Sequence, residues 1–287
     1  MANVTPQMIK ALRDKTLAAM GECKKALEEN DGNMDAAIEY LRKKGAASAA
    51  KRAEREAKEG AVLACTANDG KTAILVEINS ETDFVAKNEG FVEFTKLVSN
   101  VFATSNANNI DELKSIEANG TSIENHLNDV LAKYSEKIEI RRGKKINTTG
   151  YVESYIHLGG KLAVLVEASC DKLDANSKLL LKDIAMQIAA MSPRYVDKSD
   201  VSQAELDKEK EIEYEKAITE GKKPEIAEKI AEGKRSKFFE EFCLNQQIFV
   251  KDNKKVVGDV VAEIGKQCGC DFKILSFTRW MLGGTEK

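Results

Sequence analysis

Two octapeptides, Gly70-Lys71-Thr72-Ala73-Ile74-Leu75-Val76-Glu77 and Gly160-Lys161-Leu162-Ala163-Val164-Leu165-Val166-Glu167, are identical at six of eight positions. Each contains a short, continuous apolar run bounded by turn residues, the pattern of a buried strand. A second strand-like run precedes each copy, at residues 61–67 and 151–157. The connections, Asn68-Asp69-Gly70 and Leu158-Gly159-Gly160, carry the chemistry of tight hairpin turns. A segment with helical spacing follows each copy, at residues 91–102 and 179–191. The second stops at Ser192-Pro193, because proline disfavours the helical conformation in the residue before it. Identity of this quality argues for duplication: two related subdomains, each a hairpin with a helix packed on it. Residues 272–280 alternate in the manner of a strand and are expected to return and complete the second sheet. The fold class is α+β, with antiparallel sheets.

The flanking segments are helical. Thr5-Pro6 joins an N-cap residue to a proline at the first helical position, where its missing N–H is not needed. Met8, Ile9 and Leu12 follow at helical spacing, and Met20-Gly21 marks a break. Cys23, Ala26 and Leu27 mark a second helix, ended by Asn30-Asp31-Gly32. Met34, Ala37, Ile38 and Leu41 mark a third, closed by Lys43-Lys44-Gly45. A core this small is near the limit for an independent domain and suits a unit that binds another protein. Residues 46–59 combine charge with little apolar bulk and read as a helical or flexible linker, ended by Gly60. Further on, nineteen of the 33 residues 205–237 are charged. Leu206, Ile212, Ala217, Ile226, Ile230 and Ala231 offer only a thin seam around the turn Gly221-Lys222-Lys223-Pro224. Two helices with so narrow a stripe bury little beyond each other and are expected to project as an antiparallel hairpin. The expected boundaries are 1–55 for the three-helix domain and linker, 56–149 for the first core subdomain, and 150–287 for the second, with the helical hairpin at about 200–240.

The chemistry expected of an enzyme is missing. There is no phosphate loop, no dinucleotide fingerprint and no nucleophile elbow. Asp83 beside Glu81 could be a carboxylate pair, but two residues so close in a loop have no geometric support as one. Cys268-Gly-Cys270 is too tight for the usual zinc pair and no second pair matches it; two His, His126 and His157, are too few for a His-based site. No cofactor and no metal are expected. The six Cys read as free thiols of a reducing compartment. No signal-peptide core or membrane-length run is present, so a cytoplasmic protein without membrane contact is expected. With 44 basic and 47 acidic residues, the net charge of −3 argues against a chain that grips nucleic acid directly. Two other readings stay open: nucleic-acid association through the basic runs 43–55 and 141–145, the latter read as a solvated turn, and a thiol enzyme using Cys268-Gly-Cys270.

One residue does not fit its surroundings. Phe84 stands in Glu81-Thr82-Asp83-Phe84-Val85-Ala86-Lys87, a stretch that reads as a polar loop directly after the first buried strand. It is either tucked under its own fold or held out for a partner. Asp83 could instead cap the segment that follows.

The stretch Glu77 to Lys87 resembles the Thr-Asp-Phe-Val signature of the bacterial elongation factor Ts family. The resemblance extends through Leu12-Arg13 and Cys23-Lys24-Lys25-Ala26-Leu27, Ser154-Tyr155-Ile156-His157 with Gly160, Ile184-Ala185-Met186-Gln187-Ile188-Ala189-Ala190, and Glu228-Lys229-Ile230 with Glu232-Gly233. It implies a ubiquitin-associated-like three-helix head, a core of two related subdomains and an inserted coiled-coil hairpin. It also implies a guanine-nucleotide exchange factor, not an enzyme of covalent chemistry. The implied partner is elongation factor Tu, GDP-bound or nucleotide-free. Head and first subdomain would meet its nucleotide domain, and the second subdomain its third domain. The implied partner-binding residues are Thr82, Asp83, Phe84, Val85 and His157, with Asp83 and Phe84 as the intruding pair. Three departures stand out. Leu17 and Ala19 replace the usual glycines, so Gly21 is expected to supply the bend. Ile248 replaces a usual proline, so that strand is expected to run more regularly. The sequence ends at Gly283-Gly284-Thr285-Glu286-Lys287, where many relatives continue into a helix that touches the partner, and that contact is expected to be missing.

Overall fold

A strand that is apolar at successive positions needs cover on both faces. The computed structural model of the chain supplies that cover by packing the two copies of the repeat against each other. It describes residues 4–16, 18, 20–52, 54–67, 69–134 and 136–285; Leu17, Ala19, Asn68, Glu286 and Lys287 of the expectations above lie outside the described residues. Helices α1 (Pro6–Thr16), α2 (Met20–Glu29) and α3 (Met34–Arg52) come first. The first half of the core follows: β1 (Glu59–Thr66), β2 (Thr72–Ser80), α4 (Asp83–Ala86), α5 (Glu89–Thr104), α6 (Ile110–Ser115), the ribbon β3 (Glu117–Ala118) and β4 (Thr121–Ser122), α7 (Ile123–Lys133) and β5 (Ile138–Asn147). The second half runs through β6 (Tyr151–His157), β7 (Leu162–Ala168), α8 (Ala175–Met191), α9 (Gln203–Thr219), α10 (Pro224–Phe242), the ribbon β8 (Ile248–Phe249) and β9 (Asp252–Val256), α11 (Val257–Cys268) and β10 (Ile274–Met281).

The halves repeat one plan: hairpin, helix, small ribbon, helix, returning strand. Their registers agree. Ala61 faces Ile78 across β1 and β2 as Tyr151 faces Ala168 across β6 and β7, each residue of the second hairpin numbered 90 above its counterpart. The third strands give the orders β1-β2-β5 and β6-β7-β10. β10 is the return expected for residues 272–280. Both outer ladders slip by one residue at the matching place, after Glu77 and after Glu167.

Strand alternation then distributes the repeat between two interfaces. Ile74, Val76 and Ile78 of β2 face α5 with Phe91, Phe94 and Val98. Ala73 and Leu75 point the other way and meet Ala163 and Leu165 of β7, with Val62, Val152 and Trp280. Val164, Val166 and Ala168 face α8. Helix, sheet, sheet and helix are stacked in that order. The sheets are joined by a reciprocal pair of hydrogen bonds: Val62 N–H donates to Gly160 O at 2.7 Å and Val152 N–H to Gly70 O at 2.8 Å. Residue i meets j while the counterpart of j meets the counterpart of i, as in a two-fold dimer interface, here within one chain. This explains the shared spelling of the two octapeptides. Gly70 and Gly160 take φ values of +68° and +95°, and a Cβ on Gly70 would lie 2.3 Å from the Tyr151 ring. Lys71 and Lys161 both cross between halves, to Asp171 at 3.4 Å and Glu59 at 2.6 Å.

Several expectations are corrected. Residues 141–145 are not a solvated turn but the middle of β5, and their charges are used internally. Lys145 caps the C-terminal end of α5 by donating to Phe102 O, Ser105 O and Ala107 O, and Lys144 donates to Thr278 Oγ1 at 2.9 Å. Helix α3 does not stop at Gly45 but continues to Arg52. There Gly45 permits a close crossing with α7, where an added Cβ would sit 3.2 Å from that of Ala132. Arg42 fastens the crossing with two hydrogen bonds to Asp129, at 2.9 and 3.1 Å. Gly21 lies inside α2, and its φ is not positive. The helical hairpin is present, and of its expected seam Leu206, Ala217 and Ala231 are buried while the isoleucines are not. Ala217, Ala227 and Ala231 are buried while Ile212 and Ile226 are exposed, because small residues let the helices approach. Ion pairs of Lys210 to Glu228 and Glu232, and of Lys234 to Glu213, flank the seam. Ile248 does not make its strand more regular: the β8–β9 ladder shifts register between Ile248 and Phe249. The Gln187 side chain takes over, donating to Ile248 O at 3.1 Å and accepting from Val250 N at 2.8 Å.

The slip after Glu77 has a chemical result. A bulge sets two residues against one, so Arg141 and Arg142 both reach the Glu77 carboxylate, at 2.8 and 2.7 Å. Glu77 is fully buried. Gly283 N–H, beyond β10, donates to it at 2.8 Å, and the Arg142 guanidinium stacks 4.3 Å over the Trp280 ring. Burial alone would push the carboxyl up; the Gly283 N–H and the two arginines outweigh it and hold the group below its ordinary value of 4.5. A depressed folded value means that the stabilisation is complete above 4.5 and is lost as pH falls through the folded value. Glu77→Gln is therefore expected to cost about 2–4 kcal/mol at neutral pH, less than a fully dry pair because Arg141 keeps some access to water. Urea unfolding should show the gap to wild type closing below pH 4.5; a gap that stays constant there would mean that the charge of Glu77 is not what stabilises the junction.

Candidate functional site

The stretch that carries Phe84 is not a loop. It is the one-turn helix α4, started by a local cap and oriented by its docking on the core. Thr82, in extended conformation (φ −123°, ψ 155°), is the N-cap, and its Oγ1 accepts from Val85 N at 3.4 Å. Asp83 is therefore the first helical residue and not the cap. Ala86 N–H and Lys87 N–H donate to Thr82 O and Asp83 O. Asn88 then caps α5 by accepting from Gly90 N at 3.2 Å. Val85 is buried in the cluster that contains Phe91 and Ile78. Successive helical residues point about 100° apart, so turning Val85 inward turns Phe84 outward. Phe84 is 83% exposed, the most exposed large apolar side chain among the described residues.

Of the expected contact residues, Phe84 and Asp83 therefore lie on the surface. Val85 does not present its side chain: it is buried and anchors the turn. Asp83 pairs with Lys87 at 2.6 Å. The hydrogen bond from the Lys87 ammonium holds its carboxyl below the usual range, and Asp83 in turn raises Lys87.

The turn borders a cleft of about 460 Å³. Asp83, Lys87 and the Val92–Thr95 edge of α5 line it from the first half, and Ile156 near the end of β6 and Leu158 of the β6–β7 turn line it from the second. Ile156 and Leu158 are 43% and 71% exposed. The structure thus brings the signature turn of the first half and the hairpin tip of the second to one cleft. His157 lies between these two apolar residues but, by strand alternation, on the other face. It is exposed, with Nδ1 2.9 Å from the Tyr155 hydroxyl. Sequence reasoning missed Ile156, Leu158 and Lys87. Two apolar residues flanking the end of a hairpin were a usable signal for the first two.

The competing chemistries find no support here. The thiol of Cys270 is pushed up to about 11 by its hydrogen bond with Cys170, and burial pushes Cys243 to about 11; neither is poised as a thiolate. Cys268 is engaged with Ser177 Oγ at 3.3 Å. Among the described residues, no cluster of three or more His, Cys, Asp or Glu could hold a metal ion, and no helix is long and apolar enough to cross a membrane. In the first basic run, Lys43, Lys44 and Arg55 are paired with Glu39, Glu22 and Glu81.

Comparison with known proteins adds to this. The family described as "Elongation factor TS" matches residues 81–284, from the residue before the Thr82 cap to the glycines after β10. The chain is similar to "Elongation factor Ts" of a Nitratiruptor species, 46% identical over 289 residues and covering 99% of this chain and 95% of the relative. It is similar also to that of Trichlorobacter lovleyi, 45% identical over 293 residues with 99% and 94% covered. For that of Clostridioides difficile the identity is 43% over 289 residues, with 100% and 95% covered. Identity at this level, spanning head, both halves of the core and the helical hairpin, identifies the chain as a member of the elongation factor Ts family.

Proposed function

We propose that this chain is a guanine-nucleotide exchange factor of the cytoplasm that binds elongation factor Tu, GDP-bound or nucleotide-free, and promotes GDP release by disturbing the Mg²⁺ and phosphate site. The observation that carries the reading is Phe84, 83% exposed on a capped turn whose neighbour Val85 is anchored in the core. The second half has no separate capped turn at this place. Residues 81–88 separate β2 from α5, whereas residues 169–174 separate β7 from α8. A separate turn that presents an aromatic to water is suited to a partner.

The factor need not touch the nucleotide. It has to bind the partner better when the Mg²⁺ ligands and phosphate loop are displaced, because only differential affinity shifts an equilibrium. Burying Phe84 between partner helices would contribute about 1.5–3 kcal/mol, comparable with a typical coupling of about 1–3 kcal/mol between sites. Asp83 and Lys87, already paired, offer both charges at the edge of the cleft. Thr82 and Val85 act by holding the turn. Head and first half would meet the nucleotide domain, and the second half, with His157 exposed at its hairpin tip, the third domain.

Two outcomes test this reading. Phe84→Ala removes a side chain that makes little contact within the chain, so stability should stay within about 0.5 kcal/mol of wild type. GDP release from elongation factor Tu should slow about ten- to a hundredfold, corresponding to about 1.4–2.8 kcal/mol at the exchange step. Melting and release of labelled GDP, measured on one preparation, check both; an unchanged release rate would remove Phe84 from the mechanism. Linkage supplies the second test: if the factor weakens GDP binding, GDP weakens factor binding equally. The complex with nucleotide-free partner should dissociate when GDP and Mg²⁺ are added. Equal affinity for empty and GDP-loaded partner, measured by calorimetry, would refute exchange altogether.

A further inference from the structure

A four-residue helix is far too short to hold its own conformation. The segment between α7 and β5, more than fifty residues away in sequence, supplies what α4 lacks. The Glu136 carboxylate accepts twice from Thr82: from its backbone N–H at 3.0 Å and from its Oγ1–H at 2.7 Å. A hydroxyl has one proton and two lone pairs. With its proton committed to Glu136, Thr82 Oγ1 is left facing Val85 N–H as an acceptor. Glu136 thus sets the rotor of the cap on which α4 depends. Its neighbours brace the same stretch. Lys137 N–H donates to Glu81 Oε1, and the Tyr134 hydroxyl bonds Asn88 Oδ1, the cap of α5. Ser80 Oγ–H donates to Thr82 O at 2.9 Å from the strand side.

We infer that Glu136 is a positioning residue for nucleotide exchange: its carboxylate fixes the Thr82 cap and so the direction in which Phe84 leaves the surface. This rests on Phe84 being the contact that drives GDP release. Glu136 does not touch the partner in this scheme; it acts through Thr82. Loss of the carboxylate frees the turn to sample other orientations, and the factor then reaches its productive pose in only a fraction of encounters.

The test uses the full chain with Glu136→Ala and Glu136→Gln, alone and combined with Phe84→Ala. Two readouts are taken: hydrogen exchange of the amides from Thr82 to Asn88, and labelled GDP release from elongation factor Tu as a function of factor concentration. In Glu136→Ala, amide exchange in the turn should accelerate about tenfold or more while β2 and α5 stay protected, and the maximal GDP-release rate should fall about tenfold. Glu136→Gln keeps the length and one acceptor oxygen and should lie between wild type and Glu136→Ala; should the alanine variant fail to fold, it carries the same measurements. In the Phe84→Ala background, either change at Glu136 should have no further effect on release. Unaltered amide exchange in the turn overturns the proposal whatever the release assay shows. Multiplying effects of Phe84→Ala and Glu136→Ala overturn it as well, because Glu136 would then act by another route. If Phe84→Ala releases GDP as fast as wild type, the wedge itself fails and the positioning role falls with it. A normal Phe84 effect with no Glu136 effect defeats the positioning role alone.

Discussion

The two octapeptides have to cover each other. Each is apolar on two faces, and a single helix can cover only one. The helices α5 and α8 take Ile74, Val76 and Ile78 on one side and Val164 and Val166 on the other. Ala73, Leu75, Ala163 and Leu165 are left, and each pair is complementary to the other because the two are copies. Small alanines beside leucines let the sheets approach closely enough for the reciprocal bonds from Val62 to Gly160 and from Val152 to Gly70. The glycines at the hairpin turns then serve two ends, positive φ and close approach to the opposite sheet. Neither half has a complete core without the other.

The weak point of such a sandwich is its end, where apolar cover runs out. In the first half the repeat places Glu77 there, fully buried, and the bulge in β5 turns two consecutive arginines onto it. The backbone after β10 closes the same site through Gly283, and Trp280 lies under Arg142. Sheet, neighbouring strand and chain end are thus joined through one carboxylate. The second half solves the same position with less: Glu167 accepts from Ser276 Oγ at 2.8 Å and stays partly open to water.

Where the halves differ, the fold has room for function. The second half carries the helical hairpin as an insertion between α8 and its ribbon. The first carries α4 as a separate capped turn where the second half already begins α8, and it aims Phe84 at solvent beside a cleft lined by the tip of the other half. The exchange reading and the positioning role of Glu136 both grow from that asymmetry. The turn is short, so it has to be held by groups from elsewhere, and Glu136, Lys137 and Tyr134 come from the segment that follows α7. The same α7 receives the helical head near its C-terminal end, through Arg42 on Asp129 and the Gly45 crossing at Ala132, so head and signature turn are braced around one end of one helix.

Much of this was legible in the residues. Local signals determined the hairpins, because turn chemistry and alternation act within a few residues. They also determined the paired helices of the insertion, whose charge leaves no other way to bury a seam. Phe84 stood out for the same reason, as an apolar residue without apolar neighbours at a helical or strand spacing. What needed the tertiary structure were features in which one residue's meaning depends on a distant one. Residues 141–145 looked like a solvated turn because their basic character is compensated by Glu77 and by helix carbonyls far away in sequence. Gly45 looked like a helix stop because its partner, Ala132, lies on another helix. Val85 and Phe84 are adjacent and both apolar, and only the docking of α4 on the core decides that one anchors the turn and the other is offered to solvent. Sequence periodicity reports which residues share a face; which neighbour that face meets is decided by packing between segments, and here that packing is the contact of one half of the chain with its own copy.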